Sequence, residues 1–212
     1  MHDRIPLYLF AKAPVPGTVK TRMQPHLSPF KCAELAKMML RESAKKVSEH
    51  WPGRLVLTVA PDDTHSIFRE IQLETDCALV VQQDGDLGMR MSAVISDGLK
   101  HFPAAVVMGC DVPHLSGDVL ATAHDVLKAG KNVIGPASDG GFYLLGLNTF
   151  DPGIFDNIKW GESAVFKAVK EAIFARKWPL IELSEVYDID TFVDLQRLAA
   201  ENPVYQRILV EN

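Results

Sequence analysis

Short apolar runs alternate along this chain with longer segments in which apolar residues recur every three or four positions. The apolar runs predict β-strands over residues 5–10, 54–59, 78–82, 104–108, 132–135, 142–147 and 180–183. The periodic segments predict helices over about 29–49, 89–101, 117–129 and 163–176, with a short helix after residue 63 and a terminal helix after residue 191. Because strands that alternate with helices are typical of βαβ units, we expect one α/β domain over residues 1–212, with a mostly parallel sheet and helices on both faces.

Capping residues set the expected ends of two of these helices. Ser28 followed by Pro29 is typical of an N-cap and a first helical position. Asp190 and Thr191 are together expected to cap the terminal helix, with Asp194 at the position of a capping-box partner.

Composition narrows the class of protein. The chain is 47% hydrophobic over 212 residues, which is enough for one sizeable core. Its formal net charge is -5 and it has no basic run, so we expect no nucleic-acid partner. Any phosphate site must then be a local basic region on an acidic protein.

Cysteine usage and hydropathy point to a reducing compartment. Cys32, Cys77 and Cys110 are far apart and show no CxxC spacing, so neither a disulfide framework nor a zinc cluster is expected. No apolar stretch reaches the length of a membrane span, and the run over residues 5–10 is too short for a secretory signal. We therefore expect a cytoplasmic protein without a membrane partner.

A loop with three cations follows the first predicted strand. Lys12, Lys20 and Arg22 lie on a segment whose prolines and Gly17 restrict its shapes. Lysine offers phosphate a point charge, arginine a bidentate fork, and glycine a close backbone approach. The alternative is a solvated basic loop. Because ligands of such sheets bind at the carboxyl ends of strands, the position favours phosphate binding.

A single aspartate follows the predicted central strand. Asp111 comes directly after the apolar run that ends at Met108 and the pair Gly109–Cys110. Its carboxylate suits Mg²⁺ or Mn²⁺, hard cations that prefer oxygen ligands and usually keep water and substrate phosphates. The alternative is an aspartate that only shapes the turn before Pro113.

Three further stretches carry polar residues beyond predicted strands. After the third strand, Gln83, Asp86 and Arg90 are candidates to contact a base or ribose, with an acidic turn and a helix cap as the alternative. Between two later strands lies the turn Asp139–Gly140–Gly141, either beside a sugar or acceptor or simply in a hairpin. Asp188 has no evident local partner and is a candidate second metal ligand.

Taken together, these stretches resemble the nucleotide-diphospho-sugar transferase superfamily with the GT-A fold. They look most like small bacterial transferases that include arsenosugar-biosynthesis glycosyltransferases, and more distantly like 2-phospho-lactate guanylyltransferases. The resemblance rests on FAKAPVPGTVKTR, GDLGMRM, GCDVPHL, GPASDGGFYLLGL and DIDTFVDL, which span residues 10–195. It implies a phosphate loop at Lys12, Lys20 and Arg22, a metal-binding Asp111, and a substrate-facing turn over residues 139–141.

Three functions are compatible with these residues. The first is metal-dependent glycosyl transfer from a nucleotide-diphospho-sugar to a small acceptor, in which Lys20 and Asp111 support the leaving group and Asp139 acts as base. The second is nucleotidyl transfer from a nucleoside triphosphate to a phosphorylated small molecule. The third is nucleotide binding without catalysis. A homodimer is a further expectation, because the apolar segment over residues 203–209 can pack on a partner subunit or on its own domain.

Overall fold

The computed structural model describes residues 4–210, and seven strands in this range form one sheet. Their order across the sheet is β3-β2-β1-β4-β6-β5-β7. β6 runs antiparallel to both neighbours, β4 and β5, while the other pairs are parallel. The strands are β1 (Pro6–Lys12), β2 (Arg54–Ala60), β3 (Ala78–Val81), β4 (Ala105–Gly109), β5 (Asn132–Pro136), β6 (Phe142–Leu147) and β7 (Leu180–Glu182).

Helices cover both faces of this sheet. The helices are α1 (Pro29–His50), α2 (Ser66–Thr75), α3 (Leu87–His101), α4 (Gly117–Lys128), α5 (Val165–Ala175), α6 (Phe192–Glu201) and α7 (Gln206–Val210). Short 3₁₀ turns add Thr21–Met23, Pro152–Phe155 and Pro203–Tyr205. Helices α1, α2 and α4 share one core with the sheet, and α3 and α5 share the other. The predicted α/β fold with a mostly parallel sheet is confirmed.

The alternation of β1 shows how the two cores are built. Leu7 and Leu9 are fully buried on the α1 side, while Tyr8 packs among residues of α3 and the opposite face. Covering both faces explains why the central strands read as continuous apolar runs rather than alternating ones. Each fully buried aliphatic side chain of this kind contributes about 1.5–3 kcal/mol.

The helix predicted after residue 191 begins at Phe192 as α6, and only one of the two residues predicted to cap it does so. Thr191 alone is the N-cap of α6: its side chain accepts a hydrogen bond from the backbone N–H of Asp194, whose carboxylate accepts one from the N–H of Thr191. The capping box is therefore complete without the side chain of Asp190. The prediction that Asp190 caps the helix was wrong, and its carboxylate has another role described below.

The C-terminal segment packs on its own domain. Tyr205 and Ile208 are buried in a third cluster with Met23 and Leu35. Of the two alternatives for residues 203–209, the structure supports intramolecular packing, so this segment gives no reason to expect a dimer. No helix within residues 4–210 is both long enough and apolar enough to cross a bilayer.

The sheet has its switch point between β1 and β4. From β1 the chain proceeds to β2 and β3 on one side, and from β4 it proceeds to the strands on the other side. The carboxyl ends of β1 and β4 therefore leave a crevice between diverging connections, which is where ligands of open α/β sheets bind.

Candidate functional site

The crevice holds a cavity of about 740 Å³, called here the first cavity. Its charged lining comes from four cations and three carboxylates, although the protein as a whole is acidic. These residues are Lys12, Lys20, Arg22, Arg90, Asp84, Asp111 and Asp190. The loop after β1 and the aspartate after β4, 91 positions apart in sequence, thus face the same space.

Lys20 is at the centre of this charge arrangement. Its Nζ donates to Oδ1 of Asp111 at 2.6 Å, to the carbonyl oxygen of Ile189 at 2.7 Å and to Oδ1 of Asp190 at 3.1 Å. Its side chain is only 7% exposed. Burial disfavours the ammonium form, but Asp111 and Asp190 outweigh that effect and raise the pKa of Lys20 above its ordinary value. The lysine is therefore a fixed cation.

The backbone of Lys20 is also unusual. Its φ of 48° places it in the left-handed region, which non-glycine residues rarely adopt. Holding a lysine there costs about 1 kcal/mol or more, and such residues cluster at functional sites. This conformation ends the loop at the 3₁₀ turn Thr21–Met23, and the ammonium makes its three contacts from that position.

Asp190 is the functional candidate that the sequence prediction missed. Its two carboxylate oxygens contact Lys20 at 3.1 Å and Nη1 of Arg22 at 3.4 Å. The sequence contains one indication of this role: Thr191 and Asp194 are sufficient to cap the helix, so the side chain of Asp190 is not needed there. A purely local pattern still does not say that its partner is a lysine 170 positions away.

The other loop residues differ in how they face the cavity. Lys12 lines it, and its Nζ donates to the carbonyl oxygen of Thr18 at 2.9 Å, which closes the loop on itself. Arg22 lines it with a side chain that is 66% exposed. Gly17 is outside the lining; its φ of +86° shows that it is needed for the turn.

The segment after β3 contributes two of its three predicted residues. Gln83 and Arg90 line the first cavity, and Arg90 is oriented by the carbonyl oxygen of Gly85 at 2.9 Å and by Oε1 of Gln82 at 3.3 Å. Asp86 lies outside the lining. Its carboxylate accepts the N–H of Met89 at 2.8 Å as the N-cap of α3, so the structure favours capping over ligand contact for Asp86.

A second cavity of about 270 Å³ adjoins the first, and Phe10, Leu87, Gly109, Asp111 and Asp190 line both. Its further lining includes residues of the β5–β6 connection, of the segment before α5 and of the segment before α6. Among them are Asp139, Gly141, Phe142, Trp160, Glu162 and Asp188. The predicted Asp139, Gly141 and Asp188 therefore lie beside Asp111, at the same edge of the sheet.

The turn over residues 139–141 forms a hairpin between β5 and β6, which is one of its two predicted roles. It also borders the second cavity. Oδ1 of Asp139 accepts the N–H of Gly141 at 2.7 Å. Gly140 has a φ of +90°, and a Cβ at this position would lie 2.0 Å from the carbonyl oxygen of Ser163. Its own carbonyl accepts the N–H of Phe166 at 2.9 Å. Gly140 thus connects the turn to the start of α5 rather than to the cavity.

The segment over residues 187–190 is fixed against the loop after β4. The N–H of Ile189 donates to the carbonyl oxygen of Asp111 at 3.0 Å. The rings of His114 and Tyr187 stack with centroids 4.0 Å apart, and the hydroxyl of Tyr187 donates to Glu201 at 2.7 Å. These contacts hold the Asp188 and Asp190 backbone at the cavity edge.

Asp188 lies near other carboxylates, and within the described residues neither Asp188 nor Asp139 forms an ion pair with a cation. Burial, followed by the charge of Asp139, raises the pKa of Asp188 to about 6. The donors here are all carboxylate oxygens, which suit Mg²⁺ or Mn²⁺. Within residues 4–210, no group of three or more His, Cys, Asp or Glu side chains is arranged to hold an ion. These carboxylates therefore suit an ion that is held by one or two of them and whose remaining ligands are water and substrate oxygens.

The sheet order, the switch-point cavity and its basic loop define a nucleotide-diphospho-sugar transferase fold of the GT-A type. Within that class, the chain belongs to a bacterial family described as "Uncharacterized protein conserved in bacteria (DUF2064)", whose profile matches residues 43–162. No curated protein matches the chain.

Solved structures support this fold. A "putative nucleotide-diphospho-sugar transferase" from Desulfovibrio desulfuricans G20 is 28% identical with a TM-score of 0.81, covering 95% of this chain and 88% of that one. Rv0371c from Mycobacterium tuberculosis H37Rv, crystallised with manganese, is 18% identical with a TM-score of 0.55, covering 92% and 97%. The 4-diphosphocytidyl-2C-methyl-D-erythritol synthase from Anaerococcus prevotii DSM 20548 is 13% identical with a TM-score of 0.60, covering 94% and 96%.

Proposed function

We propose that this protein is a metal-dependent transferase that moves a glycosyl group from a nucleotide-diphospho-sugar to a small acceptor. The nucleotide and its diphosphate would occupy the first cavity, and the acceptor would occupy the second. The observation that carries the proposal is the Lys20–Asp111 contact of 2.6 Å inside a cavity that Lys12, Arg22 and Arg90 also line. Fixed cations of this kind stabilise negative charge where it develops.

Charge on the leaving group would be the main object of catalysis. As the bond between the anomeric carbon and the diphosphate oxygen breaks, its electron pair stays with the nucleoside diphosphate. Asp111, Asp190 and the carbonyl of Ile189 accept all three N–H donors of the Lys20 ammonium, so Lys20 would act on that charge through its fixed electrostatic field rather than through a direct hydrogen bond. Arg22 is largely exposed and contacts Asp190 through Nη1 alone, at 3.4 Å, so it would need to release only that contact to turn its fork toward a phosphate.

The acceptor supplies the other half of the reaction. Its hydroxyl oxygen would form the new bond to the anomeric carbon, and the hydroxyl proton would pass to a carboxylate. Asp139 is our candidate base: one of its oxygens is fixed by the N–H of Gly141, and a carboxylate has a second oxygen that can take a proton.

Mg²⁺ or Mn²⁺ is the proposed cofactor, with Asp111 and Asp188 as its protein ligands. A bound divalent ion would neutralise diphosphate oxygens as a Lewis acid. Asp111 is 49% exposed and already contacts Lys20, so Lys20 and the ion would share its two oxygens. The manganese complex of the fold relative Rv0371c supports the choice of ion.

Nucleotidyl transfer is the second candidate, because the fold relative from Anaerococcus prevotii is named as a diphosphocytidyl synthase. In that reaction an acceptor phosphate attacks the α-phosphorus of a nucleoside triphosphate and pyrophosphate leaves. The first cavity has the same cations to offer either leaving group.

A ligand screen with a product assay tests both candidates. Melting temperatures measured with nucleoside diphosphates, triphosphates and sugar nucleotides, each with Mg²⁺ or Mn²⁺, should rise for the ligands that bind. Release of nucleoside diphosphate from a sugar nucleotide would support glycosyl transfer, and release of pyrophosphate from a triphosphate would support nucleotidyl transfer. If no nucleotide shifts the melting temperature, the proposal is wrong.

A further inference from the structure

The two cavities differ in the charge that they present. Four lysine and arginine side chains line the first cavity. Within the described residues, no lysine, arginine or histidine lines the second, although five carboxylates do. These are Asp111, Asp139, Glu162, Asp188 and Asp190. Among residues 4–210, only Asp111 and Asp190 of these five have cationic partners: Lys20 contacts both from the side of the first cavity, and Arg22 also contacts Asp190.

The remainder of the second cavity is apolar and partly aromatic. Phe10, Phe142 and Trp160 line it together with the side chains of Leu87 and Val165. Such a surface accommodates a flat or aliphatic ligand face, and aromatic rings also attract cations.

Trp160 is held in place by two close contacts. Its ring packs edge-on against Phe155 with centroids 5.6 Å apart. Gly88 also lies against this ring, since an added Cβ there would stand 2.6 Å from the Trp160 ring. The glycine after Leu87 thus serves close packing of this wall. The wall is part of the fold, so the cavity does not depend on a ligand to form it.

A phosphorylated acceptor would meet this cavity unfavourably. A phosphate monoester carries nearly two negative charges at neutral pH, and it would leave water for a space with several carboxylates and no cation. A divalent ion on Asp111 and Asp188 would leave Asp139 and Glu162 uncompensated. An acceptor without anionic groups avoids this repulsion and keeps the apolar contacts.

We propose that the second cavity takes a hydroxyl-bearing acceptor that has an apolar face and no anionic group, and that it rejects phosphorylated acceptors. This inference rests on the proposed function, because it takes the second cavity as the acceptor site. Within that function it selects transfer to a free hydroxyl over transfer to a phosphate. The proton and leaving-group balance is the one given above for glycosyl transfer.

Fluorine NMR of the protein labelled with 5-fluorotryptophan reports on this cavity directly. The chain has three tryptophans, and the Trp160 resonance is identified by its loss in Trp160→Phe. The probes are matched pairs: benzyl alcohol and benzyl phosphate, 2-phenylethanol and its phosphate, and tyramine and its O-phosphate. Titrations run once with Mg²⁺ and once with EDTA, so that binding is followed whether or not an ion is present.

The unphosphorylated members should shift the Trp160 resonance at concentrations at least about tenfold lower than their phosphate esters. The resonance of Trp51, which is buried in the core, should not move. Asp139→Asn combined with Glu162→Gln should bring the concentrations at which an alcohol and its phosphate ester shift the Trp160 resonance closer together. Asp125→Asn combined with Glu171→Gln is the matched control, since both residues are exposed and outside the cavity lining, and it should leave the difference unchanged.

Two results would overturn the inference: phosphate esters that bind as tightly as their alcohols, or no pair that shifts Trp160. Nucleotide binding at the first cavity is measured separately by the melting-temperature screen. If nucleotides fail to bind while the pairs are discriminated, the proposed function fails and the acceptor preference of the cavity stands. If nucleotides bind and the pairs are not discriminated, only this inference fails.

Discussion

The ammonium of Lys20 lies 2.6 Å from the carboxylate of Asp111, which joins the loop after β1 to the end of β4. The two residues lie in the segments that follow neighbouring strands, and their contact crosses the crevice at the switch point of the sheet. Asp190 contacts the same ammonium from a third segment. One buried lysine therefore connects three parts of the chain at the proposed diphosphate site.

Replacing Lys20 by methionine should affect both binding and stability. Methionine keeps most of the side-chain length but removes the only cation that contacts Asp111 within the described residues, and it leaves Asp190 with Arg22 alone. We expect nucleotide affinity to fall at least about tenfold, and the free energy of unfolding to fall by about 1–2 kcal/mol, less than for a fully buried pair because Asp111 is 49% exposed. Calorimetric titration and urea unfolding measure the two effects.

Lys12→Met is the matched control for that variant. Lys12 lines the same cavity, but within residues 4–210 its Nζ donates to the carbonyl oxygen of Thr18 alone, so its loss should weaken binding with little change in stability. Equal affinity of wild type and Lys20→Met over a range of salt concentrations would contradict the phosphate role.

Asp111→Asn should separate a chemical role from a structural one. The amide keeps the shape of the side chain, and Lys20 keeps Asp190 and the carbonyl of Ile189. We expect turnover to fall at least about a hundredfold and Mn²⁺ binding, followed by electron paramagnetic resonance, to weaken, with a stability change below about 1 kcal/mol.

Asp84→Asn serves as the comparison, because Asp84 is exposed and lines the same cavity on its far side after β3. It should retain Mn²⁺ binding. Undiminished Mn²⁺ affinity in Asp111→Asn would exclude Asp111 as the metal ligand.

Gly140→Ala and Gly161→Ala form a pair that separates backbone strain from steric conflict. Both glycines have a positive φ, +90° and +88°, so alanine is strained at either position. At Gly161 the space beyond is open, and we expect a loss of about 1 kcal/mol. At Gly140 the new Cβ meets the Ser163 carbonyl at 2.0 Å, and the loss should exceed that by about 1–3 kcal/mol.

Urea unfolding at one pH gives both values for this pair. If both variants lose a similar free energy of unfolding, the segment before α5 moves readily to make room for the new Cβ. Gly140 would then not fix the turn beside the second cavity.

His124 should make the protein less stable in mild acid. It is buried beside Trp51, with ring centroids 5.2 Å apart, and burial lowers its pKa. An unfolded histidine titrates near 6.5, so below that pH the unfolded state binds a proton that the native state resists. Stability contributed by the neutral ring is therefore present at neutral pH and is lost as the pH falls, by up to about 1.4 kcal/mol per pH unit.

His124→Phe removes this titration while keeping an aromatic ring against Trp51. Unfolding free energies measured at pH 7.5 and pH 5.5 should differ less in the variant than in the wild type. The pH dependence of the unfolding free energy should not vanish in the variant, because burial also lowers the pKa of His114 and His65. An unchanged difference between the two pH values would contradict the prediction.

The sequence predicts the fold because its signals are local and agree with one another. Apolar runs, caps such as Ser28, and turn residues all indicate alternating strands and helices, and the central strands are buried on both faces as their composition requires. The position of polar residues after strands also places Lys20 and Asp111 at one edge of the sheet. A general rule about parallel sheets is sufficient for that step.

Individual side-chain roles depend on contacts that no local pattern contains. Asp190 resembles a helix cap until its neighbours Thr191 and Asp194 are seen to cap each other. Asp86 can be interpreted either as a ligand contact or as a cap, and only the structure shows its hydrogen bond to Met89. The charge contrast between the two cavities also depends on which distant segments meet, so it is visible only in three dimensions.

The position of residues 187–190 near the end of the chain has a consequence for when the site forms during synthesis. Residues 187–190 are synthesised after every strand of the sheet, yet they supply two of the three acceptors that hold the Lys20 ammonium. A nascent chain can form most of its scaffold while that segment is still inside the ribosome. Competence to bind a nucleotide should therefore appear as one late event, when the last helices dock, rather than growing gradually with chain length.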